Sequence, residues 1–575
     1  MAKDHSIKQK TDRQKGNWRR FFEMMYASRL PYGLMVAALL FNTGASYINL
    51  KMPDLVATLV ESVKQQTLVS IFWLGMGSIM CGIAATVTKG IAQSKIDRNM
   101  QVLAVDKILY LRMEVIEHRD PREMVSRITT DTKLMSALLL TVAIEELPRL
   151  YYMIGALVKI FRNYNTTLGM VMLVSIPVTI VAGIIVGRLT FGRAEAAQGA
   201  ISRLTARLAE KINNMPVIKS YNNQEKESGS GEGVIKDLEV ALKRKAMIAR
   251  LSSGTTSLVK LIPTVGIIAI GATLVLSGSV ERTAFVAYYA LAGSFIGYVV
   301  AHLTLWVQIK EAQGATNRLS TILEQPDEKP AGESCSGVGD IAFCGVSKSF
   351  GDHLVLDNVS FTIEQGKKTA FVGFSGSGKS TALNLIEQFY YPESGEIRMG
   401  GRPISDYDIC SYRKLFTYVP QNAPGFSGSI RDLLLYGLDR SVSDDELWEM
   451  LKKTEADAFV TLLGGLDYDI GNNAGKLSGG QKQKLSMARA LLSREEIMLL
   501  DEATSALDVH ATEQIQTILD EKMAGKTMVV VAHNLSTIKN ADKIIVFSEG
   551  HIVDEGTHEQ LLQRCELYRR LVAAA

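Results

Sequence analysis

The residues with the clearest chemical potential lie between positions 373 and 381, where glycines and serines surround a lysine. This segment follows the strand-like run 368–372 and opens a helix-forming run that continues to 386. Glycines allow backbone N–H groups to curve around phosphate oxygens, and a helix start adds a favourable dipole. In such a loop Lys379 reaches the β- and γ-phosphates and the Ser380 hydroxyl binds Mg²⁺. The predicted phosphate loop consists of Gly373, Phe374, Ser375, Gly376, Ser377, Gly378, Lys379, Ser380 and Thr381.

Two adjacent carboxylates follow a second apolar run at 497–500. A buried strand that delivers acids to its end needs a reason, because buried acids are costly unless they are paired or bind a metal. Asp501 is expected to hold Mg²⁺ directly or through water, and Glu502 to polarise an attacking water as general base. Downstream of the phosphate loop, this pair predicts hydrolysis of ATP.

The segment 477–490 carries a family resemblance. Its start, Leu-Ser-Gly-Gly-Gln, lies shortly before Asp501 and resembles the defining sequence of ATP-binding-cassette (ABC) proteins. The resemblance implies a second phosphate cradle, which closes on a nucleotide held by another cassette and therefore requires a dimer. The cradle residues are Ser478, Gly479, Gly480 and Gln481.

Further positions take roles from the same resemblance. Phe350 lies where the family stacks an aromatic ring on adenine, and Gln421 resembles the glutamine that contacts Mg²⁺ and faces the membrane domain. Asp508 resembles the end of the loop that contacts the opposite cassette, and His533 matches the histidine that contacts the γ-phosphate. The cofactors implied are ATP and Mg²⁺.

The chain departs from the family pattern in two places. Exporters often have Glu-Arg-Gly where this chain has Asn-Asn-Ala at 472–474, which predicts altered coupling to the membrane domain and leaves uptake open as an alternative to export. The Ser/Gly-rich stretch 228–233 is expected to interrupt an inner helix that is usually continuous in the family.

The elements around these motifs change character along the chain. Apolar runs long enough to span a bilayer occur six times before residue 310, at 30–53, 68–92, 138–161, 168–189, 258–280 and 283–307. From 341 onward, short β-type runs alternate with helices, and the motifs fall at strand-to-helix junctions. The predicted fold is an α-helical membrane domain of six transmembrane helices with long cytoplasmic extensions, followed by an α/β P-loop cassette. The predicted domains are an interfacial N-terminal helix (1–25), the transmembrane domain (26–324), a linker (325–340) and the nucleotide-binding domain (341–575).

Charge predicts the orientation. The two long segments after the second and fourth spans are rich in Lys and Arg, whereas the other connections carry few cations. Positive residues stay on the cytoplasmic side, so both termini are predicted to be cytoplasmic in a multi-pass cell-membrane protein. Each inner segment has a break, at 117–121 and at 213–216, where we expect a tip that contacts a cytoplasmic domain. The stretches 124–131 and 208–221 are similar to the inner loops of exporter-type ABC half-transporters.

Composition excludes several other classes. The net charge is +3, and the cations are spread without interleaved aromatic residues, so no nucleic-acid partner is expected. The 5 cysteines lie far apart and predict neither a metal site nor a disulfide framework. We expect neither a signal peptide nor a peptidase domain ahead of the membrane domain.

The substrate is indicated only by charges inside the third span. Glu145, Glu146 and Arg149 predict either a polar substrate contact or a hydrated cytoplasmic end of a long helix. His302, on the sixth span, is a weaker candidate.

The leading function is ATP-driven efflux of a lipid, an amphiphilic drug or a peptide by a homodimer or a near-symmetric heterodimer. Uptake of a metal chelate is the alternative, an ATP-gated channel or regulator is a further one, and the six spans exclude a soluble ATPase.

Overall fold

The structure is a computed structural model in which the chain forms two compact units. It describes residues 18–574 apart from 118, 329–331, 336, 422, 424, 504–508 and 533–537. The first unit takes in the described residues up to Leu109 together with Asp120–Glu324. The second unit takes in Tyr110–Arg119 and the described residues from Gln325 onward.

The first unit is helical. The α-helices described up to residue 323 are α1 (Trp18–Ala27), α2 (Tyr32–Glu61), α3 (Gln65–Leu109), α4 (Met113–Glu117), α5 (Pro121–Ser126), α6 (Thr132–Leu140), α7 (Leu147–Asn163), α8 (Thr166–Asn213), α9 (Met215–Ser220), α10 (Gln224–Leu276) and α11 (Arg282–Leu323). The short helix α4 belongs to the second unit. Two π-helical segments, Arg127–Asp131 and Thr141–Glu146, join α5, α6 and α7 into one segmented helix, which we call the third helix.

Length and composition separate these helices into two groups. Among the described residues, α2, α3 and α11 are each long and apolar enough to cross a membrane. Helices α8 and α10 contain the shorter apolar stretches Thr166–Val181 and Pro263–Leu276. The third helix completes the series of six predicted spans, and its apolar run is interrupted by the charges noted above.

A proline and an asparagine explain the irregular geometry of the third helix. Pro148 follows the π-helical segment Thr141–Glu146 and has no N–H to donate to the carbonyl of Ile144. That carbonyl instead accepts a hydrogen bond of 2.9 Å from Nδ2 of Asn42, on α2. The two helices are thereby joined at the point where the backbone ladder of the third helix is broken.

The expected interruption at 228–233 is wrong, because α10 is continuous from Gln224 to Leu276. Each glycine in a helix interior costs ~1 kcal/mol relative to alanine. Two features offset this cost: Glu225 and Glu227 lie in the first turn, where acids favour the helix dipole, and Lys211 of α8 pairs with Glu227 at 3.1 Å. Contacts with the neighbouring helix thus outweigh a weak local propensity.

The second unit combines two sheets with helices. Its strands are β1 (Ile341–Phe350), β2 (His353–Ile363), β3 (Lys368–Val372), β4 (Ser394–Met399), β5 (Arg402–Pro403), β6 (Phe416–Val419), β7 (Ile497–Asp501), β8 (Thr527–Val531), β9 (Lys543–Ser548) and β10 (His551–Gly556). Its α-helices after α4 are α12 (Lys379–Ile386), α13 (Ile409–Arg413), α14 (Ile430–Leu435), α15 (Asp444–Lys453), α16 (Asp457–Leu463), α17 (Gly479–Leu492), α18 (Val509–Lys522), α19 (His558–Arg564) and α20 (Glu566–Ala574).

The order of strands determines where the motifs meet. The larger sheet has the order β10-β9-β3-β8-β7-β6, and β9, β3, β8, β7 and β6 are parallel neighbours. Parallel strands bring their carboxyl ends to one edge, and ligands of open α/β sheets bind there. The phosphate loop follows β3, the two carboxylates come at the end of β7, and Gln421 comes two residues after β6.

Aromatic side chains form the core between this sheet and the antiparallel sheet β2-β1-β4-β5. The ring of Phe371 is fully buried and lies 5.5 Å from the ring of Phe361 and 5.1 Å from the ring of Phe547, measured between centroids. Phe361 also stacks on Phe343 at 4.3 Å. Because Phe371 lies on β3, this core supports the strand that ends in the phosphate loop.

Replacing Phe371 by alanine should destabilise the cassette by ~3–5 kcal/mol, because a large buried ring is lost and a cavity remains. We expect a lower midpoint of thermal unfolding for the purified full chain in detergent. The control is Leu462→Ala, since Leu462 is 88% exposed. Equal midpoints for the two variants would contradict this account of the core.

Candidate active site

The phosphate loop connects β3 to α12 through a glycine that no other residue can replace. Gly378 precedes the first residue of α12 and has a φ of 103°. A Cβ atom here would lie 2.6 Å from Cδ2 of Leu356 and 3.0 Å from the carbonyl oxygen of Val355, both on β2. A side chain is therefore excluded by the left-handed backbone and by the neighbouring strand.

Lys379 lies inside the curve of this loop. Its buried Nζ donates hydrogen bonds to the carbonyl oxygens of Gly373, at 2.9 Å, and Phe374, at 2.8 Å. Burial lowers the pKa of Lys379, while the negative charges of Glu502 and Asp501 oppose this shift. The loop thus holds a cation close to the carboxylate at the end of β7 and to the carboxylate of the next residue.

The hydroxyl of Ser380 meets the carboxylate at the end of β7. Its Oγ donates a hydrogen bond of 3.1 Å to Oδ1 of Asp501, which is buried. A hydroxyl oxygen and a carboxylate oxygen this close are hard donors of the kind that Mg²⁺ prefers. The residues present therefore fit the metal that the sequence predicts.

Glu502 occupies a special backbone position beside this pair. Its φ is 49°, in the left-handed region, which costs a non-glycine residue ~1–3 kcal/mol and is concentrated at functional sites. Gln421 Nε2 donates to Oε2 of Glu502 at 2.7 Å, and Gln483 Nε2 donates to the Glu502 carbonyl at 3.3 Å. Two glutamines on other elements thus hold the residue in place.

The segment at 477–481 forms the start of α17. Ser478 caps the helix: its Oγ accepts from the N–H of Gln481 at 3.3 Å, and its own N–H donates to Oε1 of Gln481 at 2.9 Å. Ser478 and Gly479 are exposed, and a Cβ on Gly479 would meet nothing within 4 Å. Among the described residues, this cap forms no hydrogen bond with the phosphate loop, so an open helix start faces outward.

Comparison with known proteins decides the family. Residues 356–505 match the family described as ABC transporter, and residues 34–299 match the ABC transporter transmembrane region. The chain is 30% identical over 581 residues to an ATP-dependent lipid A-core flippase of Xylella fastidiosa, with 96% of each chain covered. The chain belongs to the ABC transporter family.

Two further similarities extend over the whole transporter. A multidrug resistance ABC transporter ATP-binding and permease protein of Lactococcus lactis is 28% identical over 566 residues, which cover 96% of this chain and 95% of the relative. The structure of a bacterial Atm1-family ABC exporter with ATP bound has the same fold, with a TM-score of 0.82, 21% identity, and coverage of 95% of this chain and 98% of that one. The predicted fold class is confirmed. The chain is a multi-pass membrane protein that binds ATP and couples its hydrolysis to transport.

Some predicted site residues are brought together and others are not. Lys379, Ser380, Asp501, Glu502 and Gln421 form one cluster at the carboxyl edge of the sheet. Asp508 and His533 lie outside the described residues. Gln483 was not predicted from sequence, although its place in the segment 477–490, on α17, could have suggested it.

Phe350, the predicted adenine contact, is held by two neighbours. Its ring packs edge-on against Tyr390, with centroids 4.9 Å apart. Nζ of Lys348, on the same strand, lies 5.5 Å from the Phe350 ring and 5.7 Å from the Tyr390 ring. A cation near aromatic rings is attracted by their electron density, so Lys348 favours this pairing of the rings.

The segment Tyr110–Arg119 contacts these neighbours within the second unit. Tyr390 donates from its hydroxyl to Oε2 of Glu117 at 2.6 Å, and Lys348 forms an ion pair with Glu114. Burial is the largest cause of a raised pKa at Tyr390, with the hydrogen bond to Glu117 adding to it, so the hydroxyl remains a donor. This contact matches the break that the sequence shows at 117–121, but its partners were not predicted.

The charges at 145, 146 and 149 of the third helix pair with each other and with residues of α3 and α11. Arg149 pairs with Glu145 at 2.6 Å and also with Glu146. Lys89 of α3 pairs with Glu145, and Nε2 of His302 on α11 lies 2.9 Å from Oε2 of Glu146. The role of Lys89 was not predicted from sequence. We call these five side chains the membrane charge cluster.

Replacing Gly378 by alanine should weaken ATP binding at least tenfold, because the side chain would push the loop away from β2. The measurement is titration with a fluorescent ATP analogue. Gly401→Ala is the matched control: Gly401 has a similar φ of 81°, but a Cβ there would meet nothing within 4 Å. Unchanged affinity in Gly378→Ala would show that the loop tolerates a side chain.

Proposed function

We propose that this transporter works as a dimer and exports a lipid, an amphiphilic drug or a peptide, with ATP bound between two facing cassettes. The observation that carries the proposal is the Glu502 carboxylate, fixed by Gln421 at 2.7 Å beside the Ser380–Asp501 pair. A general base fixed beside the predicted Mg²⁺ ligands supports repeated turnover, which a pump requires, more than a channel gated by ATP binding.

The roles in hydrolysis follow from the arrangement of side chains. Glu502 accepts a proton from the attacking water, and Gln421 orients the carboxylate. Lys379 balances negative charge on the phosphates, while Phe350 stacks on adenine. Ser380, Asp501 and Gln421 would hold Mg²⁺, which supplies charge neutralisation at the phosphates when bound. The roles of His533 and Asp508 rest on the family resemblance.

The exposed start of α17 supports a shared site. A helix N-terminus with free N–H groups attracts phosphate. In this chain that start is open to solvent at Ser478 and Gly479. We infer that it binds the nucleotide held by a second chain. Because one chain has both Glu502 and Ser478, a homodimer or a near-symmetric heterodimer is favoured, with two working sites.

The names of the relatives and the distribution of basic residues favour export of an amphiphilic substrate. The relatives reported above are a multidrug resistance transporter and a lipid A-core flippase. The basic inner segments favour cytoplasmic termini, which places the cassette in contact with cytoplasmic ATP. The stretch 472–474, where exporters are often acidic, is the one observation that keeps uptake of a metal chelate as an alternative.

Replacing Glu502 by glutamine should lower the ATPase rate by ~10²–10⁴-fold, because the amide cannot take up a proton. ATP should still bind, since the side chain keeps its size. The control is Glu549→Gln, another glutamate with a left-handed φ, of 47°, that is exposed in a turn of the same cassette. Normal turnover by Glu502→Gln would refute the assignment of the base.

The same variant tests transport. Proteoliposomes with outward-facing cassettes should accumulate a fluorescent phospholipid analogue, a hydrophobic dye or a labelled peptide in the inner leaflet or lumen when ATP is added outside. Liposomes with Glu502→Gln should not. ATP-dependent loss of a preloaded metal chelate from the lumen would instead support uptake.

Two inactive variants should restore each other if the site is shared. Lys379→Met removes the phosphate-loop cation, and Ser478→Arg blocks the start of α17. Each variant alone should be inactive, whereas co-expression should produce mixed dimers with one intact site and measurable ATPase activity. The control is a chain that carries both substitutions and is expressed alone. Failure of the mixed population to hydrolyse ATP, or full activity in an isolated monomer, would contradict the shared site.

A further inference from the structure

The membrane charge cluster contains a contact that needs a proton. The cluster joins Lys89 on α3, residues 145, 146 and 149 of the third helix, and His302 on α11. Its side chains are largely shielded: 7% of Glu146, 22% of Arg149 and 31% of His302 is exposed. Charges that are buried inside a membrane domain are expensive and mark functional sites.

The two ring nitrogens of His302 both face acceptors. Nδ1 lies 2.8 Å from the carbonyl oxygen of Tyr298, which can only accept, so Nδ1 carries a hydrogen. Nε2 lies 2.9 Å from Oε2 of Glu146. In a neutral imidazole with a hydrogen on Nδ1, Nε2 is itself an acceptor. An unprotonated carboxylate oxygen and an unprotonated ring nitrogen that lie 2.9 Å apart repel each other, because both are acceptors.

The other partners of Glu146 do not remove this conflict. Arg149 binds Oε1, the other carboxylate oxygen. Oε2 is buried and, in the part of the chain that the structure describes, has no hydrogen-bond partner; Nε2 of His302, 2.9 Å away, is its ion-pair partner when the imidazole is protonated. A polar atom buried without a partner is costly. The contact is therefore favourable when it holds one proton, as imidazolium with carboxylate or as neutral imidazole with a protonated carboxyl group.

The charges that surround the pair cancel each other before this proton is added. Lys89 from α3 and Arg149 from the third helix carry positive charge, and Glu145 and Glu146 carry negative charge, so the four groups cancel. From α11 the cluster is faced by Tyr298, whose ring packs 5.0 Å from that of Tyr152 on the third helix. Binding one proton gives the cluster a single positive charge.

We propose that His302 and Glu146 form a proton-binding site that joins α11 to the third helix inside the membrane domain. The pair holds one proton while the helices are in contact, and losing it favours their separation. Because the equilibrium between joined and separated helices then depends on pH, movement of these helices in the transport cycle takes up and releases a proton. This goes beyond the proposed function, which needs no proton.

The direct test is nuclear magnetic resonance of the full-length transporter in lipid nanodiscs, with ¹⁵N-labelled histidine and ¹³C-labelled glutamate. The chain has 8 histidines, and the signal absent from His302→Gln identifies His302. At neutral pH we expect either an imidazolium spectrum for His302 or a protonated carboxyl signal that disappears in Glu146→Gln. In Glu146→Gln the side-chain amide can donate to Nε2, so His302 should be neutral with its hydrogen on Nδ1.

A matched variant sharpens this test. Glu145→Gln removes the neighbouring acid, which pairs with Lys89 and Arg149, and should leave the proton on the His302–Glu146 pair. A neutral His302 together with an ionised Glu146 in the natural sequence would overturn the proposal, whether or not the protein transports anything.

The consequence for movement is tested by distance. Spin labels on α11 and on the third helix should report a longer separation as pH rises from about 6 to about 9. In His302→Gln the amide donates to Glu146 without any added proton, so the distance should stay short and independent of pH. A distance that does not change with pH in the natural sequence would overturn the proposed link to movement.

Discussion

The alignment of three parallel strands is the constraint on which the nucleotide site depends. Thr369 of β3 and Leu499 of β7 both lie opposite Val529 of the strand between them. This register puts the end of β3 level with the end of β7, so that Ser380 can reach Asp501 at 3.1 Å. A slip of one residue would turn every side chain to the opposite face and separate the hydroxyl from the carboxylate.

Much of the cassette was predictable from sequence, because its motifs require a particular local backbone. The glycines of the phosphate loop, the acids after an apolar run and the serine cap of α17 each specify their own conformation. The contacts between distant segments were not predictable. Tyr390 meets Glu117 across 273 positions of sequence, and no local pattern specifies that pairing.

The membrane domain shows the same division between local and distant information. Apolar runs locate the helices, but hydropathy says little about how far each helix is rotated. The sequence therefore does not predict that Glu145 and Lys89, which lie on two different segments, form an ion pair. The wrong prediction of a break at 228–233 has a related cause. The low helix propensity of a glycine-rich stretch is local, whereas the contacts with Lys211 and its helix that stabilise the stretch are distant in sequence.

The hydrogen bond from Asn42 to the carbonyl of Ile144 has a mechanical consequence. At Pro148 the third helix lacks one of its backbone hydrogen bonds, and a side chain of α2 donates to the carbonyl that is left without it. Bending at this point requires exchanging a single hydrogen bond, whereas bending elsewhere would strain several. Because Glu145 and Glu146 sit between the carbonyl and the proline, at the point of bending, a tilt of one half mainly turns their side chains relative to α11.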